Sequence, residues 1–117
     1  MLLFEESEPP STLQVQPLIK GEGKKIGAND TITFNYSWVR WSDGKVLEET
    51  YGSEPAVSPL SGLLPGMVKG LTNQTVGSRV LLVIPPADGY PDGNATPSIK
   101  PDETLVMVVD LLFTQSQ

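Results

Sequence analysis

One stretch of helical period stands alone between runs of strand period, and that contrast restricts the fold more than any other feature. Leu63, Leu64, Met67, Val68 and Leu71 recur three and four residues apart, with Pro65 where a first turn tolerates it. The segment is short, and Gly66 and Gly70 each cost about 1 kcal/mol relative to alanine within a helix. Such a helix needs a sheet to lie on. The rest of the chain supplies one. TITFNYSWVRW at 31–41 places Ile32, Phe34, Tyr36 and Trp38 on one face and Thr33, Asn35, Ser37 and Val39 on the other. Ser-Asp-Gly-Lys at 42–45 is a hairpin signal, so Val46, Leu47 and the residues up to Thr50 return antiparallel. Leu13, Val15, Pro17 and Ile19 alternate with polar residues in an edge strand, since Pro17 cannot donate to a ladder. Residues 79–84 read as a further strand, and 104–113, apolar on both faces, as a central one. Strands, one short helix and strands again make an α+β fold on an antiparallel sheet.

The connections are polar and rich in turn residues. GEGKK at 21–25 reads as a turn; it lacks the remaining positions of the common glycine-rich phosphate loops. The stretch 51–62 holds two prolines, two glycines and three serines and reads as irregular. Residues 1–12, acidic and with Pro9-Pro10, read as a disordered tail or linker remnant, which leaves 13–115 as a single domain. A chain of 117 residues is long enough for one core. Most unusual is VGSRVLLVIPPADGYPDG at 76–93, where an apolar strand runs directly into two prolines and a tyrosine follows.

Composition removes whole classes of chemistry. Fourteen acidic against eight basic side chains give a formal charge of −6, which disfavours nucleic acid. With no cysteine and no histidine, disulfides, thiol nucleophiles, histidine triads and the usual zinc sites are excluded. No metal and no cofactor is expected: Asp88, Asp92 and Asn94 share a loop but lack calcium-loop spacing. Asn-x-Ser/Thr triplets at Asn29, Asn35, Asn73 and Asn94 carry little weight. The opening Met-Leu-Leu-Phe is too short for a signal core, and the compartment stays open between the cytoplasm and, for a chain trimmed from a longer precursor, secretion or a lipid anchor at the cell surface.

The order and spacing of DGK at 43–45, LLPGMVKGL at 63–71, VGSRVLLVIPP at 76–86, Tyr90 and IKPDETLVMVVDLL at 99–112 resemble the FKBP family of peptidyl-prolyl cis-trans isomerases. The likeness covers about 13–113. It implies a strongly twisted five-stranded antiparallel half-barrel wrapped around one short α-helix, with an apolar pocket between them. The prolines then mark where the chain leaves the sheet for a flap, and Tyr90 hangs from that flap. By the same resemblance Tyr90, Tyr36 and Glu48 are the polar groups of the site, Glu48 standing where the family has aspartate. Leu47, Leu63, Leu64, Met67, Ile99, Met107 and Ala56 form the substrate-binding walls, the Leu64 N–H being offered to a ligand carbonyl. Leu47, Met107 and Ala56 stand where the family has phenylalanine, and Met67 where it has tryptophan. These departures keep the site apolar but soften it.

The resemblance implies a rotamase acting in protein folding on proline-containing polypeptide clients, as a monomer, with macrolide inhibitors bound at reduced affinity. The alternative is a catalytically weak binding or chaperone module on the same fold. Read from the residues alone, Tyr36 is a core tyrosine with its hydroxyl at the rim. Glu48 is equally a solvated charge at a strand end or a pocket hydrogen-bonding group, and the apolar wall residues are core on any reading. Tyr90, inside a Gly/Pro/Asp loop, is poorly explained by packing and reads as functional.

Overall fold

The computed structural model describes residues 10–95 and 99–116. Six strands form one antiparallel sheet: β1 (Gln14–Ile19), β2 (Thr31–Arg40), β3 (Val46–Glu49), β4 (Ala56–Pro59), β5 (Arg79–Ile84) and β6 (Leu105–Gln115). Their order is β1-β5-β6-β2-β3, with β4 also on β2. The one α-helix among the described residues, α1 (Pro65–Leu71), lies inside the curl of this sheet, which makes the expected half-barrel around a helix.

The sequence pattern explains most placements. β6 is apolar on both faces because it is central, pairing β2 from Thr31↔Gln115 to Arg40↔Leu105 and β5 from Arg79↔Asp110 to Ile84↔Leu105. β1 is an edge strand on β5, all six of its residues exposed, with an irregular step between Pro17 and Ile19. The Asp-Gly hairpin joins β2 to β3, with Gly44 at φ 68° and the Gly44 N–H donating to the Arg40 carbonyl at 2.8 Å. Ile32, Phe34 and Trp38 are buried on the inner face of β2 with Val80, Leu82 and Ile84 of β5.

Two loops differ from their sequence reading. The stretch 51–62 contains β4 and a 3-10 turn at Leu60–Gly62, because β3 ends at Glu49 and leaves half of the β2 edge open. β4 fills that half, from Thr31↔Pro59 to Phe34↔Ala56, which makes six strands rather than five. GEGKK is not a tight turn: it runs extended beside 74–78, with Gly23 N–H on the Val76 carbonyl at 3.0 Å and Ile26 N–H on that of Gln74 at 2.8 Å. The tail assigned to 1–12 lies, apart from Pro10, Ser11 and Thr12, outside the described residues.

The glycines of α1 are explained by its packing. A Cβ on Gly70 would come within 2.5 Å of Leu82 Cδ2, and one on Gly66 within 2.8 Å of Ile84 Cγ2. The helix gives up intrinsic propensity to sit this close to β5, and the buried Met67 and Leu71 anchor it there.

Candidate functional site

A cavity of about 350 Å³ opens between β2, β6, the start of α1 and the loop after β5. Its strand wall consists of Phe34, Tyr36 and Trp38, alternate residues on the inner face of β2. Ring centroids lie 5.5 Å apart for Phe34 and Tyr36 and 6.4 Å for Tyr36 and Trp38, the latter pair edge to face. The opposite wall is aliphatic: Leu63, Leu64, Pro65 and Met67 from α1 and its approach; Met107 of β6, paired with Trp38, extends the strand wall. Ala56, Ser58 and Gly62 complete one side.

Tyr90 closes the other side, and the prolines before it explain its position. β5 stops at Ile84; Pro85 cannot continue the ladder, and Pro86–Asp88 forms a 3-10 turn with the Asp88 N–H on the Pro85 carbonyl at 2.9 Å. Lys69 of α1 holds Asp88 at 2.5 Å. Tyr90 leaves that turn half-buried, its ring 6.2 Å from that of Trp38.

The polar groups are few. Tyr36 donates its phenolic hydrogen to Glu48 Oε1. The ladder accounts for this contact, since Glu48 pairs with Trp38 and its side chain leaves the sheet on the Tyr36 side. The backbone of Tyr36 is fixed by Thr50 just past the end of β3, whose Oγ1 accepts the Tyr36 N–H at 2.9 Å and whose own N–H reaches the Tyr36 carbonyl at 2.9 Å. Burial, reinforced by the hydrogen bond to Glu48 and its charge, pushes the Tyr36 phenol well above its ordinary range. Burial and the Glu48 charge also push Tyr90 up, so both phenols stay protonated donors at neutral pH. The Trp38 Nε1–H is buried with no acceptor among the described residues.

Of the residues singled out in the sequence, Tyr36, Ala56, Leu63, Leu64, Met67, Tyr90 and Met107 line the cavity. Glu48 meets it through Tyr36. Leu47 and Ile99 do not line it. Leu47 occupies the irregular step where β3 pairing passes from Glu48 to Val46, and packs half-buried against the core. Ile99 is buried, bridged to Asn94 by paired backbone hydrogen bonds of 2.7 and 2.9 Å. Phe34, Trp38, Ser58, Gly62 and Pro65 were not anticipated. For Phe34 and Trp38 the signal was present, because period two puts them on the face of Tyr36.

The sequence profile of FKBP-type peptidyl-prolyl cis-trans isomerases matches residues 22–112. The chain belongs to this family. It is 36% identical over 103 residues to the FKBP-type 22 kDa peptidyl-prolyl cis-trans isomerase of Escherichia coli, covering 87% of this chain and 50% of that one. The crystal structure of FkpA from Escherichia coli superposes with a TM-score of 0.80 at 34% identity, over 98% of this chain and 54% of that one. A peptidyl-prolyl cis-trans isomerase from Pseudomonas syringae superposes with a TM-score of 0.80 at 27% identity, over 90% of this chain and 76% of that one. The chain thus spans about half the length of the Escherichia coli relatives it matches.

Proposed function

We propose that this FKBP-type domain, residues 13–115, accelerates rotation about Xaa-Pro bonds in unfolded or partly folded polypeptides, without a covalent intermediate. The observation that carries the reading is the apolar cavity with the Tyr90 and Tyr36 phenols at its edge, in a chain of this family. Rotation of an amide meets a barrier of about 18–20 kcal/mol because the twist breaks resonance. The planar amide has more charge separation than the twisted one, so a dry apolar wall disfavours the ground state more than the transition state. Leu63, Leu64, Met67 and Met107 provide that environment in this reading. The Tyr90 hydroxyl donates to the substrate carbonyl, and the Leu64 N–H, which has no acceptor among the described residues, holds the flanking peptide in its twisted form. Neither role needs a nucleophile. Macrolide ligands use the same cavity, held more weakly because the helix-side wall offers no aromatic surface.

NMR exchange spectroscopy on Xaa-Pro peptides, with and without the protein, tests this reading. Cis-trans exchange should accelerate in its presence, and Tyr90→Phe should lower kcat/KM about tenfold, which is ~1.4 kcal/mol of differential binding. Peptide shifts without faster exchange would assign the softened cavity to a binding or chaperone module.

A further inference from the structure

Among the described residues, every side chain lining the cavity is uncharged. One ionised group among the described residues is hydrogen-bonded to that lining, the Glu48 carboxylate on the Tyr36 hydroxyl. The pairing of Glu48 with Trp38 directs it to the cavity side of the sheet, and its side chain is exposed at the mouth. The ion pairs among the described residues join Arg40 to Asp43, Lys69 to Asp88 and Arg79 to Asp110; none includes Glu48. Arg40, further along β2, is held by Asp43 at 2.7 Å, and Lys69, on α1, by Asp88 at 2.5 Å. Among the described residues, then, the Glu48 charge at the edge of the lining has no ion-pair partner, on a chain of formal charge −6.

We propose that Glu48 makes the site selective for proline segments carrying lysine or arginine next to the proline, and discriminates against glutamate and aspartate there. This rests on the reading of the cavity as a proline site. An apolar cavity recognises the proline ring by burial and has no other means of reading the charge of its neighbour. A cationic side chain lying across the mouth meets the free oxygen of Glu48 while Tyr36 holds the other. Being exposed, the pair is partly screened by solvent and salt, so the selectivity is moderate and falls as ionic strength rises.

The test uses one peptide framework with Lys, Gln or Glu placed in turn before and after a single proline. Affinity is read from chemical-shift titration and kcat/KM from exchange spectroscopy, at low and high salt, for the unmodified chain, Glu48→Gln and Glu48→Asp. The expected result is a Lys-over-Glu preference of about fivefold at one of the two positions, equivalent to ~1 kcal/mol. It should shrink in high salt, vanish in Glu48→Gln and return in part in Glu48→Asp. The ratio between peptides is the readout, so any change in absolute rate common to all of them does not enter. Equal Lys and Glu values, or a preference that survives Glu48→Gln, would overturn the proposal while leaving isomerase activity standing. Lys-selective binding without accelerated exchange would support the charge selection and remove the isomerase reading. Failure of every peptide to bind would remove both.

Discussion

The two walls of the cavity achieve the same apolarity by different means. The β2 wall carries Phe34, Tyr36 and Trp38 on a strand paired on both edges, to β6 along one side and to β3 and β4 along the other. The facing wall carries Leu63, Leu64 and Met67 around a helix of seven residues, while Met107 sits on the sheet side beside Trp38. Aromatic rings on a doubly paired strand have few rotamers and a fixed platform. An unbranched methionine on a short helix, Met67, can re-pack around whatever enters. The tryptophan that the family resemblance assigns to the Met67 position is missing from the helix, yet the cavity contains an indole, supplied by Trp38 from the strand. Rigidity is concentrated on one side and adaptability on the other.

The sharpest way to break this comparison is to change one side chain in each wall. Phe34 is 2% exposed in the core as well as the cavity. Phe34→Ala should cost about 3–5 kcal/mol of stability, as for other buried phenylalanines. Met67→Leu, nearly isosteric on the adaptable side, should cost under ~1.5 kcal/mol. Urea denaturation of the two variants measures both. Comparable losses would show that the helix-side wall is as tightly specified as the strand.

The same division explains how much of the molecule was legible in its sequence. Strand alternation put Phe34, Tyr36 and Trp38 on one face, and the doubly apolar run near the C-terminus identified the central strand, because each depends on neighbours in the chain. β4 was not legible: Ala-Val-Ser-Pro has weak strand character, and the β2 edge left open by β3 makes it a strand. Leu47 and Ile99 were read as wall residues, but whether a buried residue faces a cavity or lies behind it depends on the course of distant loops. The part played by Trp38 was hidden for a further reason. The family resemblance directs attention to the helix for the indole, whereas Glu48, placed by the same resemblance, does meet Tyr36.

A smaller effect should come from the contact that seats the helix. On an exposed helix Gly→Ala is worth about 1 kcal/mol of stabilisation. At Gly70 the sign should reverse, because the added methyl would lie 2.5 Å from Leu82 Cδ2 in a fully buried environment. Overpacking of this kind costs ~1–3 kcal/mol, which offsets the helix-propensity gain and leaves a net loss of up to about 2 kcal/mol for Gly70→Ala. A thermal melt reads it directly. Stabilisation instead would mean that α1 moves away from β5 easily, and would extend the adaptability of Met67 to the backbone that carries it.

The smallest expected effect concerns the end of the rigid wall. Asp30, just before β2, accepts the Gly27 N–H at 3.0 Å and the Thr114 hydroxyl at 2.7 Å through Oδ2, tying the start of β2 to the end of β6. The hydrogen bond from Gly27, then that from Thr114, hold its carboxyl below the ordinary value of 3.8 against the opposing effect of burial. A depressed folded value means that the unfolded chain takes up the proton first as pH falls. The contribution of Asp30 is therefore complete above about 3.8 and is lost as pH drops through the lower folded value. Asp30→Asn should be less stable than the unmodified chain at pH 7, and the gap should narrow progressively as pH falls below about 3.8, where protonation begins to remove the same charge from the parent. Urea midpoints along that pH series provide the measurement. A gap that stays constant to pH 2.5 would show that the geometry of the side chain, and not its ionisation, fastens this end of the aromatic wall.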